Sequence, residues 1–158
     1  MTGLHIVEYR NELAADFYVI NAAWIHAMFV LEAHDEHVLS HPREMIIDLG
    51  GTILFVADEN GTILGTGALM PTGGGAIELT KMGVNEAARG TGAGAYLLAA
   101  LIDRAQALAA APLYLLTNAR CEAAVHLYEK AGFEHDADIM AKYGATYERC
   151  NVAMRLRD

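Results

Sequence analysis

Basic residues are scarce in this 158-residue chain: 11 lysines and arginines face 20 aspartates and glutamates, for a formal net charge of -9. A surface of that sign repels phosphate backbones and argues against nucleic acid as a partner, while tolerating a cationic substrate. Cysteine is nearly absent. Cys121 and Cys150 have neither the spacing of a disulfide framework nor that of a metal site, so they read as reduced thiols of a cytoplasmic protein. No apolar run is long enough to span a bilayer, and the opening MTGLHIVEYRNEL lacks the basic and apolar regions of a signal peptide, so no membrane partner is expected. Only three prolines are present, and no linker or internal repeat interrupts the chain. Residues 1–158 are therefore expected to form one domain whose core needs no covalent staple.

What is present is a clear alternation of periods. Leu4 to Tyr9 reads as a strand. Leu13, Phe17, Ile20, Trp24 and Met28 recur in steps of three and four, which predicts a helix with one apolar stripe. A shorter helix is expected over 36–48, ended by Gly50 and Gly51. Two β-rich runs flank Asn60-Gly61, a pair suited to a tight hairpin turn. PTGGG then turns into a third run, Ala76 to Val84. Leu97, Leu98, Leu101, Ile102, Ala105 and Leu108 predict another helix, and LYLLT (Leu113 to Thr117) a central strand. CEAAVHLYEKAG predicts a helix closed by Gly132, and strands are expected over 133–139 and 151–156. Antiparallel strands followed by a β-α-β unit define an α+β sandwich around one mixed sheet.

Between the third run and its helix lies NEAARGTGAGAYLL, with glycines at 90, 92 and 94. A helix start carries backbone N–H groups without intrahelical partners, which together with the helix dipole attract anions. Glycine admits close approach and positive φ. Residues Arg89, Gly90, Thr91, Gly92, Ala93, Gly94 and Ala95 thus describe a pyrophosphate cradle, with Arg89 adding a charged contact. A nucleotide P-loop would need Gly-Lys-Ser/Thr, and Ala95-Tyr96 stands there instead. The loose dinucleotide pattern is met, but the next strand ends in TNAR, with no acid to hold a ribose. A loop used only for packing would leave the arginine unexplained.

VNEAARGTGAGAYLL, then LYLLT, then AAVHLYEKAGF resembles the GNAT (Gcn5-related N-acetyltransferase) family in order and spacing. Arg89-x-x-Gly92-x-Gly94 matches its acyl-CoA pyrophosphate motif, and Leu127 to Phe133 its second signature. Motif-level matching spans about 78–133. Two positions depart from the family's habit: Glu86 where proline is frequent, and Cys121 where asparagine is frequent. Asn118 is then the candidate for a polar contact to the pantetheine arm.

The resemblance implies a GNAT-like three-layer sandwich with a mostly antiparallel sheet of about seven strands around a central acyl-CoA-binding β-α-β unit. It implies acetyl-CoA as acyl donor and direct transfer to a primary amine of a small-molecule or amino-acid-like acceptor, with no metal. Met82, Gly83 and Val84 would pair with the pantetheine arm, with Gly83 as a bulge position and a Met82 or Gly83 N–H at the thioester oxygen. Tyr128 matches the family's general acid. A phenol of pKa about 10 is a poor proton source for a thiolate of about 8.5, so a hydrogen bond to the leaving sulfur is enough. Strand alternation puts Glu78, Thr80 and Met82 on one face, opposite Ile77, Leu79 and Lys81. Glu78 is thus the candidate base for the amine's proton, acting through water, set against its bland reading as a solvated carboxylate or a structural pair with Lys81 or another cation. Trp24, Phe29 and Tyr143 are candidate acceptor-pocket residues, with Tyr147 beside them. His34, His37 and His41 follow helical spacing beside Asp35 and read as a solvated face rather than a metal site. A homodimer is a common outcome in this family. The alternative function is a non-catalytic acyl-CoA-binding sensor, which would keep the cradle and tolerate loss of Glu78 and Tyr128.

Overall fold

A computed structural model describes residues 3–157. Seven strands form one sheet in the order β1-β2-β3-β4-β5-β7-β6. They are β1 (His5–Glu8), β2 (Thr52–Ala57), β3 (Ile63–Gly73), β4 (Ala76–Val84), β5 (Leu113–Thr117), β6 (Phe133–His135) and β7 (Val152–Leu156). β4 and β5 run parallel; every other pairing is antiparallel. Strand alternation feeds two cores. Leu54, Val56, Leu69, Ile77 and Leu79 pack against α3 (Ala93–Ala107), with Tyr128 of α4 (Glu122–Ala131) in the same cluster. On the opposite face, Ile53, Phe55 and Ala68 meet α1 (Ala14–Met28) and α2 (Ala33–Ser40), while Tyr114 and Ala153 meet Ile139 of α5 (Ala137–Tyr143). The result is the three-layer α+β sandwich expected. No helix among the described residues is long and apolar enough to cross a membrane.

Three local expectations need correction. The helix expected over 36–48 is two elements, α2 and a π-helical turn at Arg43–Ile47. Pro42, which cannot donate a backbone hydrogen bond, stands between them. The Asn60-Gly61 hairpin is a longer loop, closed by Asp58 N donating to Thr62 O. The Asp58 carboxylate accepts from the backbone N–H of Asn60 and Thr62, and only Gly61 of the pair takes positive φ (+82°). The strand expected over 133–139 stops at His135, because the Asp136 side chain accepts from Ile139 N at 2.9 Å and caps α5.

The sheet opens beside the candidate site residues of β4. β4 pairs with β5 only through Ile77–Leu113, Glu78–Tyr114 and Leu79–Leu115. Beyond that point the two strands diverge. Asn85 N donates to Leu64 O, so Gly65–Val84 is a non-hydrogen-bonded pair, and Val84 turns its own N–H and C=O toward the gap.

Candidate active site

The gap between β4 and β5 widens into a cleft of about 620 Å³. The Arg89–Ala95 loop and the start of α3 close one end. Gly92 is the residue before the helix, with φ +86°, a left-handed conformation that side-chain-bearing residues adopt at a cost. Tyr96 N is the first α3 amide to bond back, to Gly92 O at 3.0 Å. The amides of Ala93, Gly94 and Ala95 therefore begin the helix without intrahelical acceptors, at the positive end of its dipole. A Cβ on Gly90 or Gly92 would meet nothing within 4 Å, so the space in front of the loop is open. Arg89 is exposed and lines the cleft, and its guanidinium has no carboxylate partner among the described residues. Unpartnered amides, open space and an unpaired cation fit a diphosphate. Thr91 is the exception in the loop. Its N–H and hydroxyl both bond Ala88 O, and it does not line the cleft.

The central wall is β4. Met82, Gly83 and Val84 line the cleft. The bulge expected at Gly83 falls at Lys81 instead. Its φ is +52°, and the β3–β4 register shifts between Thr66–Gly83 and Ala68–Thr80. Gly83 is glycine for another reason: a Cβ there would lie 2.5 Å from Trp24 Cδ1. The bulge also breaks the expected alternation. Lys81 joins Glu78 and Thr80 on the α1–α2 face, whereas Met82 packs into the α3 core.

That inversion builds a buried polar network. Asp35, with 0 % exposure, accepts from Lys81 Nζ (2.8 Å), from both terminal nitrogens of Arg149 (2.6 and 2.8 Å) and from Glu32 N (2.9 Å). Burial alone would raise its pKa, but Arg149 and Lys81 hold the carboxylate well below the usual range. Lys81, 4 % exposed, is pulled below the ordinary lysine value by burial, against the opposing pull of Asp35. Its Nζ donates to Tyr147 Oη at 3.2 Å, and Tyr147 Oη donates to Glu78 Oε2 at 3.4 Å. Glu78 is 5 % exposed, and burial pushes its pKa up to about 7, with Lys81 and the Tyr147 hydrogen bond pulling the other way. Glu78 itself does not line the cleft; Tyr147, Lys81 and Thr80 do. The candidate base is thus neither solvated nor in the open cleft, but one hydroxyl behind its wall.

Asp35→Asn should cost about 3–5 kcal/mol of unfolding free energy, because it strands Lys81 and Arg149 as buried cations. Its depressed pKa places that stabilisation above the ordinary aspartate value, to be lost as pH falls below it. Urea unfolding at pH 7 and pH 3 should therefore show a difference between wild type and variant that shrinks in acid.

The opposite wall is α4 and the end of β5. Tyr128, 8 % exposed, meets the cleft, its ring edge-on to Phe133 at 5.9 Å, and its hydroxyl has no hydrogen-bond partner among the described residues. Burial raises its pKa well above the usual phenol value. Cys121 also lines the cleft. Asn118 ties two segments together: its Nδ2 donates to Arg149 O (2.7 Å) and its Oδ1 accepts from Arg120 N (2.8 Å). Trp24 and Phe29 line the cleft from the α1 side, but Tyr143 does not. Tyr143 lies at the end of α5 and stacks on Tyr114 at 4.2 Å, so its ring is committed to the third core cluster. Sequence reasoning missed Arg149 as a member of the site, named Lys81 only as a structural partner for Glu78, and placed Asp35 only beside its histidines.

The sequence pattern of the acetyltransferase (GNAT) domain matches residues 50–135, more than half of the chain. No curated protein matches the chain by sequence. Among solved structures, a GNAT-family acetyltransferase from Staphylococcus aureus MU50 superposes with a TM-score of 0.86 at 18% identity, covering 97% of this chain and 98% of that one. An acetyltransferase from Streptococcus agalactiae 2603 gives 0.80 at 17%, covering 99% of both. A GCN5-related N-acetyltransferase from Kribbella flavida gives 0.73 at 18%, covering 97% of this chain and 96% of that one.

Proposed function

Since the chain belongs to the GNAT acetyltransferase family, we propose that it transfers an acetyl group from acetyl-CoA to a primary amine of a small-molecule or amino-acid-like acceptor. The observation that carries this reading is the gap beyond Leu79–Leu115, with an anion-binding helix start at one end and a carboxylate of pKa about 7 behind the wall of the other. The amides of Gly92 to Ala95 and the Arg89 guanidinium hold the diphosphate. The free β4 edge at Met82 to Val84 holds the pantetheine arm as an added strand would be held. Acetyl-CoA supplies an activated acetyl group, which the amine nitrogen takes up as the thiol leaves. A Met82 N–H steadies the carbonyl oxygen where charge develops, while Gly83, in the hydrogen-bonded pair with Thr66, turns its N–H to β3.

The amine must lose a proton, since an alkyl amine of pKa about 10.4 is almost wholly protonated at pH 7. Tyr147 Oη receives that proton and passes its own to Glu78. A base with pKa about 7 suits this task far better than an ordinary carboxylate. Tyr128 stays protonated because its pKa is raised, so it stabilises the departing sulfur by donating a hydrogen bond rather than by full transfer. Tyr128→Phe should therefore lower kcat by about tenfold, the worth of one such bond in the transition state, with the acetyl-CoA Kd unchanged. Stopped-flow turnover and calorimetric titration separate the two. The free thiols of Cys121 and Cys150 suit a cytoplasmic setting.

The test of the activity is a screen of purified protein with acetyl-CoA against a pooled amine library, read as thiol release and product mass. Amine-stimulated thiol release with an added acetyl mass on the amine is the expected result. Binding of acetyl-CoA with no stimulation by any amine would leave only a cofactor-binding module.

A further inference from the structure

The cleft is cationic within an acidic protein. Against the net charge of -9, its lining carries Lys81, Arg89, Arg120 and Arg149, with Glu122 as its single carboxylate. Most of these charges are already answered. Lys81 and Arg149 are spent on Asp35, with Glu32 adding to Arg149. Arg89 belongs to the diphosphate end. Arg120 is different: it is exposed, lines the cleft, and its guanidinium has no carboxylate partner among the described residues.

Its position is built. Arg120 N bonds Asn118 Oδ1, while Asn118 Nδ2 bonds Arg149 O, so one carboxamide fixes both arginine-bearing segments. The Arg120 guanidinium lies 5.0 Å from the centre of the Phe29 ring, and that of Arg149 lies 5.9 Å from the same ring. Phe29 packs with the α1–α2 core, on the face of the sheet opposite α3. Arg120 therefore stands on the face that carries Tyr147 and Lys81. Trp24, held by its indole N–H to Asn21 Oδ1 at 3.0 Å, adds a second ring to that face.

From this arrangement we propose that the acceptor is an amino acid with an apolar or aromatic side chain. Its carboxylate is gripped by the Arg120 guanidinium, and its apolar body lies against Phe29 and Trp24. A planar guanidinium steadied on a ring is pre-organised for a two-point bond to a carboxylate. The unpaired Arg120 guanidinium repels an acceptor with further positive charge in place of the carboxylate, so a polyamine is rejected. The proposal rests on the N-acetyl transfer reading and adds the class of its acceptor.

The test compares L-phenylalanine with phenethylamine, which differs by the carboxylate alone, and with spermidine, in wild type, Arg120→Ala and Arg120→Lys. Acetyl-CoA Kd is measured in parallel by titration. The expected wild-type kcat/KM for phenylalanine exceeds that for phenethylamine by about tenfold or more, the worth of a charged hydrogen-bonded pair. In Arg120→Ala the ratio falls to within about threefold, through KM, with acetyl-CoA Kd kept; Arg120→Lys retains part of the preference. Equal or faster turnover of phenethylamine or spermidine by wild type overturns the proposal alone. So does weakened acetyl-CoA binding in Arg120→Ala with the acceptor ratio intact, which would assign Arg120 to the cofactor. Acetyl-CoA binding with no turnover of any amine overturns the transfer reading, and this inference with it.

Discussion

Glu78→Gln lowers kcat by about 100-fold, at the low end of what a positioned base contributes, and removes the pH dependence that the wild type shows near neutrality. In the wild type kcat should rise with pH through the Glu78 pKa of about 7 and then level, because only the carboxylate accepts the proton. Glutamine keeps the shape and the hydrogen bond from Tyr147 but has no basic site, so the variant's profile should be flat there. Stability should move the other way. A carboxyl whose pKa rises on folding costs stability as pH climbs from its ordinary value of 4.5 to about 7, by up to about 3 kcal/mol. Glu78→Gln should therefore be more stable than wild type at pH 8 and closer to it at pH 4. Loss of activity with a gain in stability marks a residue kept for chemistry. An unchanged pH–rate profile in the variant would remove Glu78 from the mechanism.

The second large effect belongs to the helix start. Gly92→Val should weaken acetyl-CoA binding by at least about 100-fold. A β-branched residue at positive φ is a strained outlier, and relief of that strain turns the Ala93 to Ala95 amides away from the ligand. Gly61→Val is the control. Gly61 has a similar φ of +82° and equally open space, but lies in the β2–β3 loop away from the cleft. It should lose comparable thermal stability and keep acetyl-CoA affinity. Calorimetric titration of both variants separates strain from loss of the cradle. Equal affinity in Gly92→Val and wild type would show that these amides hold nothing.

How far the sequence revealed this site depends on whether each feature is local. The glycine loop and the start of α3 were legible because their signal lies within a few residues: an arginine, alternating glycines and then a helical stripe. The run from Ala76 to Val84 and the strand Leu113 to Thr117 coincide with β4 and β5 for the same reason. Glu78 was legible as a candidate, but its environment was not. Burial raises its pKa while Lys81 and Tyr147, brought in from elsewhere, oppose the rise, and the Asp35 that neutralises Lys81 lies 46 residues away along the chain. Arg149 is 114 residues from the same carboxylate. No periodicity carries such pairings. The bulge was misplaced because a glycine is the usual sign of one, whereas here Gly83 makes room for Trp24 and Lys81 takes the positive φ. Its place between the last strands suggests the cleft for Tyr143, and the structure puts it elsewhere. The capped helix α5 could not be seen while 133–139 read as strand, and it is α5 that turns Tyr143 onto Tyr114.

The most direct measurement is the crystal structure of the protein grown with acetyl-CoA. The diphosphate should lie on the backbone amides of Gly92 to Ala95, with the thioester between Tyr128 and Tyr147. A cofactor bound elsewhere, with those amides left to solvent, would contradict the account at its root.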